Sequence, residues 1–279
     1  MKRLIACCFI LILMIAGCRN GGYELPEPGS ISYYADPSCT TQLNKSETLV
    51  GFTITNGVPN IEIDRCLSVV ARAIAIRMAR GQKDLTSDEI KDLLLSYGVA
   101  DGQIGLRTYS AMRTKTIADM IKRNVLSEVK EGGYTHFGVG ALRRWFPPRV
   151  YVVLVLVRRS VFIDPFPKRI AHAATPTLSG RVAAGYPKMH LFLSFPSGRV
   201  LQTEFELDET GRFEVPLPFD PKDPGTYLVE LEPEGRRGPE VATLFTVDFK
   251  GSGRLPSVEI VAEKPEVVPA DTESARRLL

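Results

Sequence analysis

Five cysteines and three histidines are the side chains best suited to nucleophilic, redox or metal chemistry in this chain. The histidines, His136, His172 and His190, lie far apart, and no Cys/His spacing matches a metal-ligating pattern. No metal and no cofactor is therefore expected. His136 could work alone as a general base or as a pH sensor. With no carboxylate close to it in sequence, it reads rather as a solvated or hydrogen-bonded side chain at a strand edge. Glu128 and Glu131 read as solvent-facing helix charges rather than an acid/base dyad. Ser110 and Ser127 lack the Gly-flanked turn of an activated serine. Gly138-Val139-Gly140 is not followed by a helix start, which argues against a phosphate loop. Glycine there suits close packing of backbone against a helix. No catalytic residue is assigned.

Cys18 has the most informative surroundings. Lys2 and Arg3 precede an apolar run from Ile5 to Ile15, and Ala16 and Gly17 follow it. A positive start, an apolar core and small residues before a cut form the layout of an export signal. The run is too short to span a bilayer, which takes roughly 20 apolar residues. Ile15-Ala16-Gly17-Cys18 resembles the bacterial lipobox. That resemblance implies removal of residues 1–17 and acylation of Cys18, so that membrane lipid becomes a partner through the acyl chains. Two or three chains make a lasting anchor, where one binds only marginally. Arg19, rather than an acidic residue, favours the outer membrane over the inner. Cys39 and Cys66 would remain after processing. In an oxidising compartment they are candidates for a disulfide, worth roughly 3 kcal/mol by loop closure. The alternative is two free thiols, with Cys66 a small apolar residue on a helix.

Hydrophobic residues make up 44% of the chain and aromatics 8%, enough for a buried core. A formal net charge of +3 gives no reason to expect a nucleic-acid partner. Basic residues do cluster, at Arg143-Arg144, Arg158-Arg159 and Lys168-Arg169. On adjacent strands they could form one patch facing anionic lipid or cell-wall polymer; the other reading is ordinary solvated strand ends. Trp145, in Trp145-Phe146-Pro147-Pro148, sits beside arginine as interface anchors often do; the other reading is that this turn folds back on the core.

These residues need elements to hold them. Residues 18–59 are rich in Gly, Pro, Ser, Thr and Asn and read as a tether with irregular or short extended pieces, Val50–Thr55 being a possible strand. Leu67, Val70, Ala71, Ile74 and Met78 recur at helical spacing between a cap at Asp64 and a stop at Gly81. A second helix begins at Thr86, where Thr86 and Glu89 form a capping box. A third runs from about Lys115 to Lys130 and ends at Gly132-Gly133. The period then changes. Phe137–Leu142, Val150–Val157 and Val161–Ile163 read as strands, and the apolar run Val152–Val157 predicts a central strand covered on both faces. From residue 167 to about 262, short β-rich runs alternate with turn signals, which predicts an antiparallel β-sandwich. Its strands are expected at Thr177–Val182, Met189–Ser194, Val200–Leu207, Arg212–Leu217, Thr226–Leu231, Val241–Phe249 and Val258–Ala262. Residues 263–279 read as a mobile tail.

Tyr134-Thr135-His136-Phe137-Gly138-Val139-Gly140, followed by a turn at Pro147-Pro148 and a second strand, resembles a segment of the CAP superfamily, the cysteine-rich secretory and pathogenesis-related (SCP) domains. The resemblance implies an α-β-α sandwich over residues 60–166. It also implies a degenerate cleft: family members with a complete one carry two His and two Glu, and only His136 lies in this region. Gly211-Arg212-Phe213 and Pro224-Gly225-Thr226-Tyr227 resemble strands of bacterial immunoglobulin-like modules, implying an Ig-like sandwich over 167–262. The expected fold class is α+β. The expected function is a noncatalytic binding module at the cell envelope, with an envelope protein or polysaccharide as partner and His136, Arg143, Arg144 and Trp145 as a possible cleft or interface. The alternatives are an envelope hydrolase built around His136 and a structural spacer in an envelope assembly.

Overall fold

A computed structural model describes residues 25–82, 85–171, 175–235 and 238–250. Cys18, His172, the expected strand at Val258–Ala262 and the tail at 263–279 lie outside the described residues. A short 3-10 turn at Pro28–Ser30 and strand β1 (Tyr33–Tyr34) lead into helix α1 (Lys45–Gly57), β2 (Glu62–Ile63), α2 (Arg65–Ala79) and α3 (Ser87–Ser96). Then come β3 (Ile104–Ala111), α4 (Thr114–Asn124), α5 (Leu126–Glu131), β4 (His136–Arg144) and β5 (Arg149–Val157). The rest is β: β6 (Val161–Ile163), β7 (Phe166–Pro167), β8 (Arg169–Ile170), β9 (Thr177–Val182), β10 (Lys188–Ser194), β11 (Val200–Glu206), β12 (Arg212–Pro216), β13 (Gly225–Gly235), β14 (Gly238–Pro239) and β15 (Thr243–Phe249). Among the described residues no helix is long and apolar enough to cross a membrane.

The first sheet has the order β2-β4-β5-β3. β5 is paired on both sides and buried from Val150 to Val157, as its apolar run predicts. Alternate residues of β5 enter two cores. Tyr151, Val153, Val155 and Val157 pack with Leu67, Val70, Ile74 and Met78 of α2 and Leu93 and Leu94 of α3. Val150, Val152, Leu154 and Leu156 pack with Val50 and Ile54 of α1 and Ile117 and Ile121 of α4. Helices therefore cover both faces of the sheet.

Two glycines set how close α2 can come. A Cβ on Gly138 would lie 2.1 Å from the carbonyl carbon of Leu67, and one on Gly140 would lie 2.1 Å from that of Ala71. Any side chain there would push the helix off the sheet. Ser68 of α2 uses the proximity: its Oγ accepts from Val139 N at 3.2 Å while donating to the Asp64 carbonyl at 2.8 Å. Asp64 caps α2 through Leu67 N at 3.0 Å, and the Thr86–Glu89 box caps α3.

Parts of this frame differ from expectation. Residues 45–57 form helix α1 rather than tether, and no strand forms at Val50–Thr55. An Asn44-Glu47 capping box starts the helix, and Val50 and Ile54 are fully buried. Packing thus overrides the strand preference of its β-branched residues. The third predicted helix divides at Val125, where φ is −110°. β3, which no alternation marked, is a full edge strand of the sheet.

The second part is two stacked, mainly antiparallel sheets. One has the order β11-β10-β13-β15-β8, with β8 joining in parallel, and the other the order β12-β9-β6. Val161–Ile163, read as the last strand of the first domain, pairs with β9 in the sandwich. Phe213 and Tyr227 point into its core, and Tyr227 Oη donates to the Asp223 carbonyl at 2.8 Å. Backbone hydrogen bonds join the two parts: Leu244 N to Ala100 O at 2.8 Å, and Gly102 N to Ala242 O at 2.9 Å.

Candidate functional site

β4 and β5 form an antiparallel hairpin in which Arg144 faces Arg149 at the closed end and His136 faces Val157 at the open end. This register separates the four residues that the sequence groups as one cleft or interface. Trp145 is nine positions from His136, about 30 Å along an extended strand. Arg143, Arg144 and Trp145 share the hairpin tip, while His136 faces the sandwich at the opposite end of the sheet. The three basic pairs do not merge into one patch, for the same reason. Arg143-Arg144 lies at the tip. Arg158-Arg159 lies at the open end, paired with Glu240, Asp64 and Asp101. Lys168 donates to the Ser96 carbonyl at 2.7 Å, and Arg169 lies 3.7 Å from Asp248.

At the open end, a cleft of about 380 Å³ runs between the two parts, lined by Asp36, Asp64, Asp101, Arg159, Phe162 and Thr243 among others. Three of its charges are bound together. Arg159 holds Asp101 bidentately, Nε to Oδ1 at 2.8 Å and Nη2 to Oδ2 at 2.7 Å, and reaches Asp64 Oδ2 through Nη1 at 2.8 Å. Burial opposes the guanidinium charge, but the hydrogen bonds and charges of Asp101 and Asp64 outweigh it and hold Arg159 above its usual range. The Arg159 amide donates to Thr135 Oγ1 at 2.9 Å, and that hydroxyl pairs with His136 Nδ1 at 2.9 Å. His136 Nε2 lies 3.7 Å from Glu62, an exposed carboxylate. That is beyond a hydrogen bond. Burial, then the nearby Arg159 charge, push the His136 pKa below its usual value, so the ring is neutral at pH 7. Phe162 meets it edge-on with ring centres 5.7 Å apart.

Cys39 and Cys66 lie at this cleft and are bonded, with Cα atoms 5.0 Å apart. Among the described residues, no group of three His, Cys, Asp or Glu is arranged to hold a metal ion. His190 is on the sandwich, with Nε2 3.3 Å from Glu234. Glu128 pairs with Arg107, and Glu131 is exposed, so the two form no acid/base dyad.

Two groupings escaped the sequence. The Asp64–Arg159–Asp101 bridge joins residues far apart in the chain, so no local pattern announces it. The second is buried. Arg72 and Glu47 are 2% and 0% exposed and face each other between α2 and the start of α1. Arg72 Nε donates to Glu47 Oε1 at 2.8 Å and Nη2 to Oε2 at 2.5 Å, while Ala141 N donates to Oε1 at 2.9 Å. Arg72 also donates to Thr41 Oγ1 and the Gln42 carbonyl, both at 2.7 Å. The Asn44-x-x-Glu47 spacing was the one sequence signal for this locus.

The hairpin tip is the converse of the cleft: exposed, apolar at its apex and unneutralised. Trp145 is 72% and Phe146 88% exposed, and Met112, beside the tip at the end of β3, is 68% exposed. The Arg143 guanidinium sits 5.0 Å from the Trp145 ring centre, and Arg144 Nε donates to the Phe146 carbonyl at 2.9 Å.

No protein-family profile matches the chain, and no curated protein matches it. Among solved structures it is similar to CopC from Methylosinus trichosporium OB3b, at 17% identity over 32% of this chain and 94% of that one, with a TM-score of 0.24. It is also similar to the fibronectin(III)-like modules of Clostridium thermocellum CbhA, at 10% identity over 33% of this chain and 96% of that one, with a TM-score of 0.22. A third similarity, to FN3tt, has 14% identity over 33% of this chain and 90% of that one, with a TM-score of 0.19.

Proposed function

We propose that the chain is a lipid-anchored protein of the bacterial envelope that acts as a noncatalytic binding module. The anchor is Cys18, in the lipobox-like Ile15-Ala16-Gly17-Cys18, with the outer membrane favoured by Arg19. The body combines a degenerate CAP-like domain with an Ig-like sandwich, and an envelope protein, polysaccharide or lipid is what it binds.

One observation carries the preference for binding over catalysis. His136, the histidine around which a hydrolytic cleft would have to be built, spends its hydrogen bond on Thr135, with its nearest carboxylate exposed and 3.7 Å away. A general base needs a polarising partner or a substrate proton within about 2.6–3.2 Å. Asp64 and Asp101, on the same cleft, are both committed to Arg159. Expression in a bacterial host with labelled palmitate tests the anchor. The expected result is label on the wild-type chain and none on Cys18→Ser, which leaves the membrane fraction. An intact Met1 and an unlabelled wild-type chain overturn the reading.

A further inference from the structure

We infer that the β4–β5 hairpin tip is a membrane-docking surface that inserts Trp145 and Phe146 into an anionic phospholipid interface. This deepens the reading of an envelope binding module and rests on it for where the chain works.

The argument starts from charge. No acidic residue occurs between Gly102 and Ala118 or between Gly132 and Ile163, the two stretches that contain the tip and its flank. Arg113, Arg143, Arg144 and Arg149 are all exposed there. No ion pair engages any of the four among the described residues, whereas Arg72, Arg107, Arg158 and Arg159 are each paired with a carboxylate. Arg149 instead donates to Ser110 Oγ at 3.2 Å, and Arg144 to the tip's own backbone. With no carboxylate in either stretch, this end of the fold carries uncompensated positive charge. Its complement is an anionic surface.

The apex then selects which kind of surface. Arginines ring two aromatic side chains that project almost fully into solvent. A convex tip buries little area against a rigid partner, but it can sink into the headgroup layer, where Trp and Phe are favoured and flanking cations meet lipid phosphates. Pro147 and Pro148 restrict the loop, so presenting the aromatics loses little conformational entropy on docking.

Trp145 is the sole tryptophan of the chain, so intrinsic fluorescence reads this site alone. The chain lacking residues 1–18 retains every described residue and has no acylation site. It is mixed at low ionic strength with vesicles of equal parts phosphatidylglycerol and phosphatidylcholine, and with vesicles of phosphatidylcholine only. The expected result is a blue shift of emission and protection from acrylamide with the anionic vesicles, reversed by salt. In co-sedimentation, Arg143→Gln/Arg144→Gln binds roughly thirtyfold more weakly, which is about 2 kcal/mol for the two cations at about 1.4 kcal/mol per tenfold. Phe146→Ser, at a solvent-exposed position, also weakens binding. Unchanged tryptophan emission on the anionic vesicles overturns the inference, as do equal binding to the neutral ones and undiminished binding by the charge variant. So does retention on an anionic polymer or acidic protein without any lipid response. Acylation and docking fail separately: a chain without label at Cys18 can still shift its emission, and a labelled one can fail to.

Discussion

Replacing Arg72 with methionine isolates the buried charge on which the α1–α2 contact depends. Methionine keeps most of the aliphatic stem but removes both guanidinium bonds to Glu47. Glu47 is 0% exposed and keeps only the backbone donors Asn44 N, at 2.8 Å, and Ala141 N, at 2.9 Å. Two charge-assisted hydrogen bonds at about 1.5–3 kcal/mol each, and the measured range of about 3–5 kcal/mol for breaking a buried pair, agree on a loss of about 4 kcal/mol. The contacts to Thr41 and Gln42 go too, freeing the segment between Cys39 and α1. The assay is urea unfolding followed by far-UV circular dichroism, which reports the helices. The midpoint falls with little change in slope. A second variant, Glu47→Gln/Arg72→Met, removes the stranded charge while the amide oxygen still accepts from Ala141 N. It should recover more than half of the loss, since it is the unpaired charge that costs most. A cost below about 1 kcal/mol for Arg72→Met, or no recovery in the double variant, would refute the reasoning.

Gly140→Ala places a Cβ 2.1 Å from the Ala71 carbonyl carbon, a backbone clash that no rotamer relieves. A loss of about 1–3 kcal/mol is expected, seen as a lower Tm. Reduction of Cys39–Cys66, or its replacement by two alanines, should cost about 3 kcal/mol in a denaturant titration; an unchanged midpoint would count against it. Glu230 gives a pH effect. Burial, then the hydrogen bond with Glu232 and its charge, raise the Glu230 pKa to about 7 from the usual 4.5. Because the folded value lies above the unfolded one, its contribution is fully present below about pH 4.5 and is lost as pH rises through about 7. Glu230→Gln should therefore stabilise by about 1 kcal/mol at pH 8, a figure reduced for partial solvent screening, and change nothing at pH 4. Parallel thermal melts at the two pH values decide it.

Much of the frame is legible in local residues. Asp64 and the Thr86–Glu89 box mark helix starts because a side-chain oxygen must satisfy free backbone donors within the same turn. The run Val152–Val157 marks a two-face strand because nothing in it can face water. The turn-bounded runs from Thr177 to Phe249 give β9 to β13 and β15 to within a few residues, since alternation and turn chemistry are short-range. Helix α1 was hidden because Leu49–Ile54 is apolar and β-branched, and its helical state is decided by α4 across the interface. The site divides in the same way. Cys39 and Cys66, and the aromatic-basic tip at Arg143–Phe146, are visible as residue types.

Neighbouring residues are enough to specify helix caps, strand runs, the Gly138-Val139-Gly140 seat for a helix and a tip rich in arginine and aromatics. Which charges are spent and which stand free is settled by the fold in three dimensions. Antiparallel pairing of β4 with β5 sends His136 to one end and Trp145 to the other. Long-range contacts then neutralise Arg72, Arg158 and Arg159 while leaving Arg143 and Arg144 unpaired. Charge pairing acts over a few ångströms of space, irrespective of separation along the chain, so no local reading of the residues can anticipate it.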